Sequence, residues 1–510
     1  MASAFCKSKT DESPWLEAHK LQLALFIILA GALFRIRFFL ADRSFWLDEL
    51  FLANNLVNRS FQELLRPLDY AQAAPVGFLW VQKCAAIMMG YAELPLRTIP
   101  LIAGIGLLPL FFVVAQRLVG LPAAFIGLLI LSTEKRMIRY SSEFKQYATD
   151  SIVGLLIMWG FWWGYEQRWR GKCLMVLSLS GIAAVWLSYP SIFVLAGGGF
   201  VMALLEAHGR DWRALAKVAL ICAVFAVAFA AHYWFFMKQV TPNPHLQTYW
   251  QDYFMPLPPK SWHDLLWFPL RLRGIFEGTI KTGLPQLSVA LFLFGCLIMA
   301  RRHRVALLLA LAPFPIALLA SGLHKYPFGD RLLLYTAPQI VLILAVGLAR
   351  LYSSRRSLLR WCAVALLVAC IAENAGGAFA NLYRIKSQEE VKPVLQYIVD
   401  HRQSIDRIYL MEGSWQAFTF YAPKFRLENA TIIKGSGHQS ADVERDLKGL
   451  QGEARVWLLM VHGKKLVSGM DNEAVVLQIA DIHGKRISQF NGVGAAAYLY
   501  DFRTLVTKPS

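Results

Sequence analysis

Asp48 and Glu49 are adjacent carboxylates that follow a first apolar run, Leu21–Leu40, in the segment SFWLDELFLANNLVNRS. Neighbours on a helix do not face each other, so they cannot both address one substrate atom. One reads as a general base or metal ligand, the other as a local cap or ion-pair partner. The plainer alternative is an acidic pair at the start of an interfacial helix, where the helix dipole favours it. Phe45, Trp46 and Phe51 suit such a helix with its aromatic face in lipid.

A second cluster, Arg139-Tyr140-Ser141-Ser142-Glu143-Phe144-Lys145-Gln146-Tyr147-Ala148-Thr149-Asp150, opens a later apolar run. Read as helix, it puts Glu143 and Tyr147 on one face, and Gln146 and Asp150 on one face. Asp150 falls in the first membrane-facing turns, where an unpaired carboxylate is costly and its default reading is functional. The alternative is an ion-paired loop in which Arg139 and Lys145 neutralise Glu143. A third group is His324-Lys325-Tyr326-Pro327-Phe328-Gly329-Asp330-Arg331. Arg331 with Lys325 is suited to clamp a phosphate or diphosphate bidentately, or else to anchor the chain at the headgroups. The run Tyr249-Trp250-Gln251-Asp252-Tyr253-Phe254 either stacks on a sugar, covers a lipid tail or, as its composition favours, lies at headgroup level. His232, His245 and His263 have no ligand spacing. Carboxylates at the mouth of a membrane bundle point to an enzyme acting at the bilayer surface on a substrate with a lipid part.

The elements that must hold these groups are membrane spans. The chain has 510 residues, 56% of them hydrophobic and only 17% charged, with a mean hydropathy of +0.42. Apolar runs at 21–40, 97–116, 121–138, 148–165, 173–189, 191–206, 215–236, 285–300, 304–321, 331–350 and 359–380 predict about eleven crossings of a roughly 30 Å core. The stretch 75–90 is shorter and carries Gln82 and Lys83, so it reads as interfacial or re-entrant. The formal charge of +18 does not indicate nucleic acid, because Lys and Arg cluster in short loops between spans. With the N-terminus inside, Arg117, Arg168/Arg170/Lys172, Arg210/Arg213/Lys217, Arg301/Arg302/Arg304 and Arg355/Arg356/Arg360 all fall on the cytoplasmic side. The loops 41–96, 139–147, 237–284 and 322–330 and the chain after 382 then lie opposite, and bring all three chemical clusters to one face. Residues 1–20 form a cytoplasmic tail without a cleavage motif, so the first span reads as a retained anchor.

Six of the seven cysteines lie in apolar segments and Cys6 lies in the tail; no metal or disulfide spacing is present. From about residue 383 the pattern alternates between helical and short β-type periods, predicting a compact α/β domain over 383–510. SQEEVKPVLQYIVDHR, SWQAFTFYA, ADVERDLKGLQ and DNEAVVLQIADIHG read as helices. DRIYLMEG, the buried ARVWLLMVHG and a closing AAAYLYDF read as strands.

The acidic pair after the first span, APVGFLWVQK, ELPLRTIPLIAGIGLLPLFFVVAQRLVG, RYSSEFKQYATD and FGDRLLLYTAPQIVLILAVGL, in that order, resemble the GT-C membrane glycosyltransferases. The similarity is to the branch with the bacterial lipid A aminoarabinose transferases and to the protein O-mannosyltransferases, and it spans about 20–380. It implies a GT-C-like transmembrane domain over 21–382, with outer loops 41–96 and 237–284 and a periplasmic carboxy-terminal domain, in a bacterial inner membrane. It also implies transfer of a sugar from a polyprenyl-phosphate donor to an acceptor hydroxyl of a glycan, lipid or protein, with inversion. By this resemblance Asp48 is the base or positions the acceptor, Asp150 is the second acidic residue, and Lys145 and Arg331 are candidates for the donor phosphate. The candidate set is then Asp48, Asp150 and Glu49 for catalysis, and Glu143, Lys145, Tyr147, Lys325 and Arg331 for substrate. One departure stands out. Lipid A aminoarabinose transferases carry a Glu and a Lys before a Pro-Pro in the first outer loop, whereas this chain reads Asp69-Tyr70-Ala71-Gln72-Ala73-Ala74-Pro75. A divalent cation is compatible with the chemistry but is not indicated, and lipid A is not the default acceptor. The alternative reading is a transporter or flippase of a lipid-linked or anionic substrate, although the sequence lacks the internal repeat of many transporters.

The charge pattern makes one direct prediction. On intact spheroplasts, a single cysteine placed at Ser436 labels with a membrane-impermeant reagent and one placed at Arg302 does not. The reverse pattern would put the acidic clusters on the cytoplasmic face and remove the case for an outward-facing site.

Overall fold

The computed structural model describes residues 14–239, 244–385, 387–437, 440–462 and 472–503; Cys6 and most of the 1–20 tail lie outside these. The helices, in chain order, begin with α1 (Pro14–Phe39), α2 (Leu47–Asn58), α3 (Val76–Met89), α4 (Glu93–Val119), α5 (Leu121–Thr133) and α6 (Lys135–Tyr140). They continue with α7 (Tyr147–Glu166), α8 (Gly171–Leu187), α9 (Ser191–His208), α10 (Trp212–Phe235), α11 (Pro244–Tyr249) and α12 (Trp262–Gly274). The last of the bundle are α13 (Pro285–Arg302), α14 (Arg304–Leu311), α15 (Pro313–Gly322), α16 (Ala337–Tyr352) and α17 (Ser357–Tyr383). Among the described residues eight stretches are long and apolar enough to cross a membrane: α1, α4, α9, α10, α13, α14 with α15, α16 with the 3-10 helix Asp330–Thr336, and α17. The other three expected spans correspond to α5, α7 and α8. The chain is thus a many-helix membrane protein.

Two expectations about the spans need correction. The run 121–138 is not one helix, because α5 stops at Thr133 and Glu134 caps α6 by accepting a hydrogen bond from the Met137 amide at 2.6 Å. The carbonyls left at the end of α5 are satisfied by Arg35 of α1, which donates to Leu131 at 2.9 Å and Ser132 at 3.2 Å. Likewise α7 begins only at Tyr147, so Glu143 lies in the preceding turns and shares no helical face with it. The short α3, with 14 residues, spans only about 21 Å at 1.5 Å per residue.

The hub of the bundle is α16. Of its most apolar window, taken with the preceding 3-10 helix, 89% is buried, and α16 packs on α5, α13 and α17. A helix enclosed on all sides must be apolar all round, as VLILAVGL is. Ser151 of α7 donates to the Leu334 carbonyl at 2.8 Å, and a Cβ on Gly154 would lie 2.8 Å from the Tyr335 carbonyl oxygen. This close approach docks the 3-10 helix, and with it Arg331, on the start of α7.

The carboxy-terminal domain is α/β. It contains α18 (Val391–His401), α19 (Ser414–Tyr421), α20 (Ser440–Lys448), α21 (Asn472–His483), β1 (Arg407–Leu410), β2 (Thr431–Lys434), β3 (Val456–Val461), β4 (Lys485–Asn491) and β5 (Ala495–Asp501). The sheet order is β2-β1-β3-β5-β4. β1 runs parallel to β2 and β3, while β5 is antiparallel to β3 and β4. β2 and β4, partly exposed edge strands, carry weak patterns and were not expected from sequence. β5, expected to close the sheet, is internal because β4 pairs outside it, and its burial is accordingly almost continuous.

This domain does not have a core to itself. Val391, Val394, Leu395 and Ile398 of α18 share one buried cluster with Leu50, Leu52 and Leu56 of α2, Phe78 and Leu79 of α3, and Phe144. Phe45 is fully buried, 5.2 Å from the Phe420 ring, and its amide donates to the Tyr421 hydroxyl at 2.8 Å. The aromatic face expected in lipid is therefore largely turned into protein: Phe45 is enclosed, Trp46 is half-buried by the site, and Phe51, also half-buried, stacks on Tyr70.

Beneath α2, Glu49 and Arg97 of α4 form a bidentate pair at 2.9 and 2.6 Å, with both side chains at most 1% exposed. Arg97 also donates to the Arg43 carbonyl at 2.8 Å, and the Phe144 amide donates to Glu49 at 2.6 Å. Removing one member strands the other's charge in the interior, at a cost of about 3–5 kcal/mol. Glu49→Ala is thus expected to lower the unfolding midpoint of the detergent-solubilised protein sharply, and Glu49→Leu with Arg97→Met to recover part of it. An unchanged midpoint in Glu49→Ala would show that the pair carries no such weight.

Candidate functional site

Asp48 sits in the first turn of α2, facing away from the buried pair. One carboxylate oxygen meets Arg331 Nη1 at 2.9 Å and the other lies 3.4 Å from Lys145 Nζ. Lys145 also donates to Gln72 Oε1 at 2.7 Å. Three segments distant in sequence therefore converge: α2, the 141–146 turns and the 3-10 helix at 330–336. Their side chains are only 6–18% exposed, so the charges interact through a medium less screening than water. Burial pushes the Asp48 carboxyl up, but Lys145 and Arg331 outweigh it and hold Asp48 below its ordinary range. Burial pulls the Lys145 ammonium down, and Asp48 only partly offsets this.

Arg331 is also framed by aromatic rings: its guanidinium carbon lies 5.8 Å from the Trp46 ring centre, 5.9 Å from Tyr147 and 5.6 Å from Trp250. It forms part of the wall of a cavity of about 450 Å³. Lys135, Arg136, Arg139 and Lys281 bring the cations on that wall to five; Tyr140, Tyr249, Trp250 and Tyr253 supply rings, and Asp330 is its one acidic group. Asp330 is itself ion-paired with Arg136. A pocket with this balance suits an anion with several oxygens, and the rings suit a sugar face or an apolar chain.

Of the residues expected from sequence, Asp48, Lys145, Arg331 and Tyr147 stand together. Glu49 and Glu143 lie in a buried layer behind: Glu49 is held by Arg97, and Glu143 by Arg139 at 2.5 Å. Burial raises the Glu143 carboxyl, against the pull of Arg139. Asp150 is deeper, near Ser188, Tyr147, Tyr326 and Tyr335, and makes no hydrogen bond to Asp48 among the described residues. Lys325 is exposed in its turn and is not part of the cavity wall. The run at 249–254, expected at headgroup level, contributes Tyr249, Trp250 and Tyr253 to the wall. Lys135, Arg136 and Lys281 were missed. Lys135, Arg136 and Arg139 recur at helical spacing, but they stood at the end of an expected span, where they did not read as a surface. Among the described residues no group of three His, Cys, Asp or Glu side chains is placed to hold a metal.

No protein-family model matches the chain, and no curated protein matches it. Solved structures do. ArnT from Cupriavidus metallidurans in the apo state aligns with a TM-score of 0.53 at 12% identity, over 93% of this chain and 97% of that one. The same protein bound to undecaprenyl phosphate aligns with a TM-score of 0.50 at 13% identity, over 93% and 98%. The archaeal oligosaccharyltransferase AglB from Archaeoglobus fulgidus, in complex with an inhibitory peptide and a dolichol-phosphate, aligns with a TM-score of 0.51 at 10% identity, over 95% and 74%. At such identities the likeness is one of architecture.

The cavity's charge makes a prediction independent of any reaction. Arg331→Ala should weaken binding of a long-chain alkyl phosphate, measured by displacement of a fluorescent analogue, by roughly 1.5–3 kcal/mol, about tenfold to a hundredfold. Lys145→Ala should have a smaller effect, and Arg331→Lys should recover only part, because an ammonium lacks the guanidinium fork. Unchanged affinity in Arg331→Ala would make Arg331 a headgroup anchor. Over 93–95% of its length the chain shares the fold of these solved structures, a GT-C-like helix bundle with a carboxy-terminal α/β domain.

Proposed function

We propose that the protein transfers a sugar from a polyprenyl-phosphate donor to an acceptor hydroxyl, with inversion at the anomeric carbon, on the periplasmic face of a bacterial inner membrane. The observation that carries this reading is the Asp48–Arg331–Lys145 cluster, set beside a cationic, ring-lined cavity on a fold shared with GT-C enzymes. In the reaction the acceptor oxygen bonds to the anomeric carbon as the bond from that carbon to the phosphate oxygen breaks. The polyprenyl phosphate leaves with the electron pair, and its growing charge is met by Arg331, Lys145 and the other cations of the wall. The acceptor proton passes to Asp48.

The ion pairing suggests how Asp48 serves as a base although its neighbours hold it ionised. An arriving phosphate competes for Arg331 and Lys145. As they turn to the phosphate, the burial that favours protonated Asp48 is no longer outweighed. Donor binding thereby raises the basicity of the carboxylate beside the acceptor. Tyr147 stands beside Arg331 at this point, and Asp150 lies buried behind it. Asp48→Asn keeps the shape without the basicity, so turnover should fall by about 10²–10⁴-fold while expression and membrane insertion persist. A transfer assay with a polyprenyl-phosphate hexose decides it, and near wild-type turnover would remove Asp48 from the chemistry.

A further inference from the structure

The loop 69–75, just before α3, reaches the centre of the site. Lys145 Nζ donates to Gln72 Oε1 at 2.7 Å, while the Asp48 oxygen it faces is 3.4 Å away, longer than an ordinary N–H···O bond. The Lys145 side chain is only 6% exposed, so its ammonium depends on acceptors from the protein. Its short partner is therefore the amide of Gln72 and not the carboxylate of Asp48. An ammonium only donates, so the amide must present its oxygen; its Nε2 donates to the Tyr70 carbonyl at 3.4 Å. Gln72 also adds to Lys145 and Arg331 in holding the Asp48 carboxyl below its ordinary range.

Gln72 is put there under constraint. Tyr70 and Ala71 take left-handed backbone conformations at φ 61° and 54°, a costly state for residues with a Cβ that persists only where the surroundings enforce it. The loop is pinned on both sides. The Asp69 amide donates to Asn55 Oδ1 at 2.9 Å, the Asp69 carboxylate pairs with Arg59 at 2.9 Å, and Tyr70 stacks on Phe51. Beyond Gln72, Gln146 donates to the Ala73 carbonyl at 3.4 Å and the Tyr189 hydroxyl to the Ala74 carbonyl at 2.8 Å. Lys145 and Gln146 thus grip consecutive residues of one fixed loop.

A neutral amide and a carboxylate accept the same hydrogen bond but leave different charges behind. Held by Gln72, the ammonium is satisfied and oriented, and its charge is offset only by the looser contact to Asp48. A carboxylate at position 72 would hold the ammonium as well and cancel that charge. With no acceptor there, the ammonium would be free to close on Asp48 as a short ion pair. Resting on the reading of Lys145 as a ligand of the donor phosphate, we propose that Gln72 is a positioning residue. It holds Lys145 by a neutral acceptor, which keeps the ammonium's charge for the phosphate and its grip on Asp48 loose. An arriving phosphate then meets a cation that it can draw over without first breaking a short charge-assisted bond.

The test uses two substitutions that a loop-holding role and a charge-preserving role rank in opposite order. The readout is affinity of the full-length protein for a long-chain alkyl phosphate, by displacement of a fluorescent analogue. Gln72→Glu keeps the shape and the hydrogen bond, and is expected to weaken binding by about tenfold. Gln72→Ala should weaken it by about threefold or less. In a Lys145→Ala background most of the Gln72→Glu effect should disappear, because the added charge acts through the ammonium. Binding in Gln72→Glu that matches wild type, or exceeds that of Gln72→Ala, makes Gln72 a structural tie and overturns the proposal. A Gln72→Glu effect of undiminished size without Lys145 is direct repulsion of the ligand and overturns it too. In transfer from a polyprenyl-phosphate hexose, the donor concentration at half-saturation should rise more in Gln72→Glu than in Gln72→Ala. No transfer by the wild type overturns the glycosyltransferase reading, while the order of alkyl-phosphate affinities still decides the role of Gln72.

Discussion

The Glu49–Arg97 pair is the constraint on which the arrangement around Asp48 depends. Neither charge can be left alone in a dry interior, so α2, α4 and the 141–146 turns must meet wherever these two groups meet. Their meeting settles the direction of Asp48. On a helix the next residue points about 100° away, so burying Glu49 against Arg97 sends Asp48 toward the 3-10 helix that carries Arg331. The fully buried acidic neighbour is thus what aims the other at Arg331 of the cavity wall.

Charge in the site is arranged in two layers. The inner layer is closed at Glu49 with Arg97, both at most 1% exposed; in the neighbouring pair Glu143 is buried, while Arg139 is a third exposed and stands on the cavity wall. The outer layer, Asp48 with Lys145 and Arg331, is looser, one contact being 3.4 Å, and it borders an unbalanced cationic wall. A bound anion can reorganise the outer layer without disturbing Glu49 and Arg97. Rigidity behind and exchangeable pairing in front is the arrangement that a preorganised site requires.

The carboxy-terminal domain belongs to this architecture. Its α18 and α19 complete the core under α2 and α3, Asn54 donates to the Gln416 carbonyl at 3.0 Å, and Lys392 and Lys424 both pair with Glu93 at the head of α4. A domain fastened at so many points places its loops at the site with little freedom. Gln388, in the linker before α18, is likewise tied to Arg139 of the cavity wall.

The amino-acid sequence alone determined that this is a membrane bundle, because uninterrupted apolar length and the placement of Lys and Arg are local properties that a bilayer reads directly. It also singled out Asp48, Lys145 and Arg331, since charge at a span end is costly enough to need a reason. The α/β character of the last 120 or so residues was legible in the change of hydrophobic period. Pairing was not. Which of two adjacent carboxylates is buried depends on Arg97, 48 residues further on. The end of α5 depends on Glu134 and Arg35, and the place of β5 depends on β4 lying outside it. The cationic wall was hidden for the same reason: Lys135, Arg136 and Lys281 acquire a common meaning only when α6 and the segment before α13 are brought together. Composition and period act along the chain, whereas the partner of a buried charge is chosen across it, and the tertiary structure alone decided that choice.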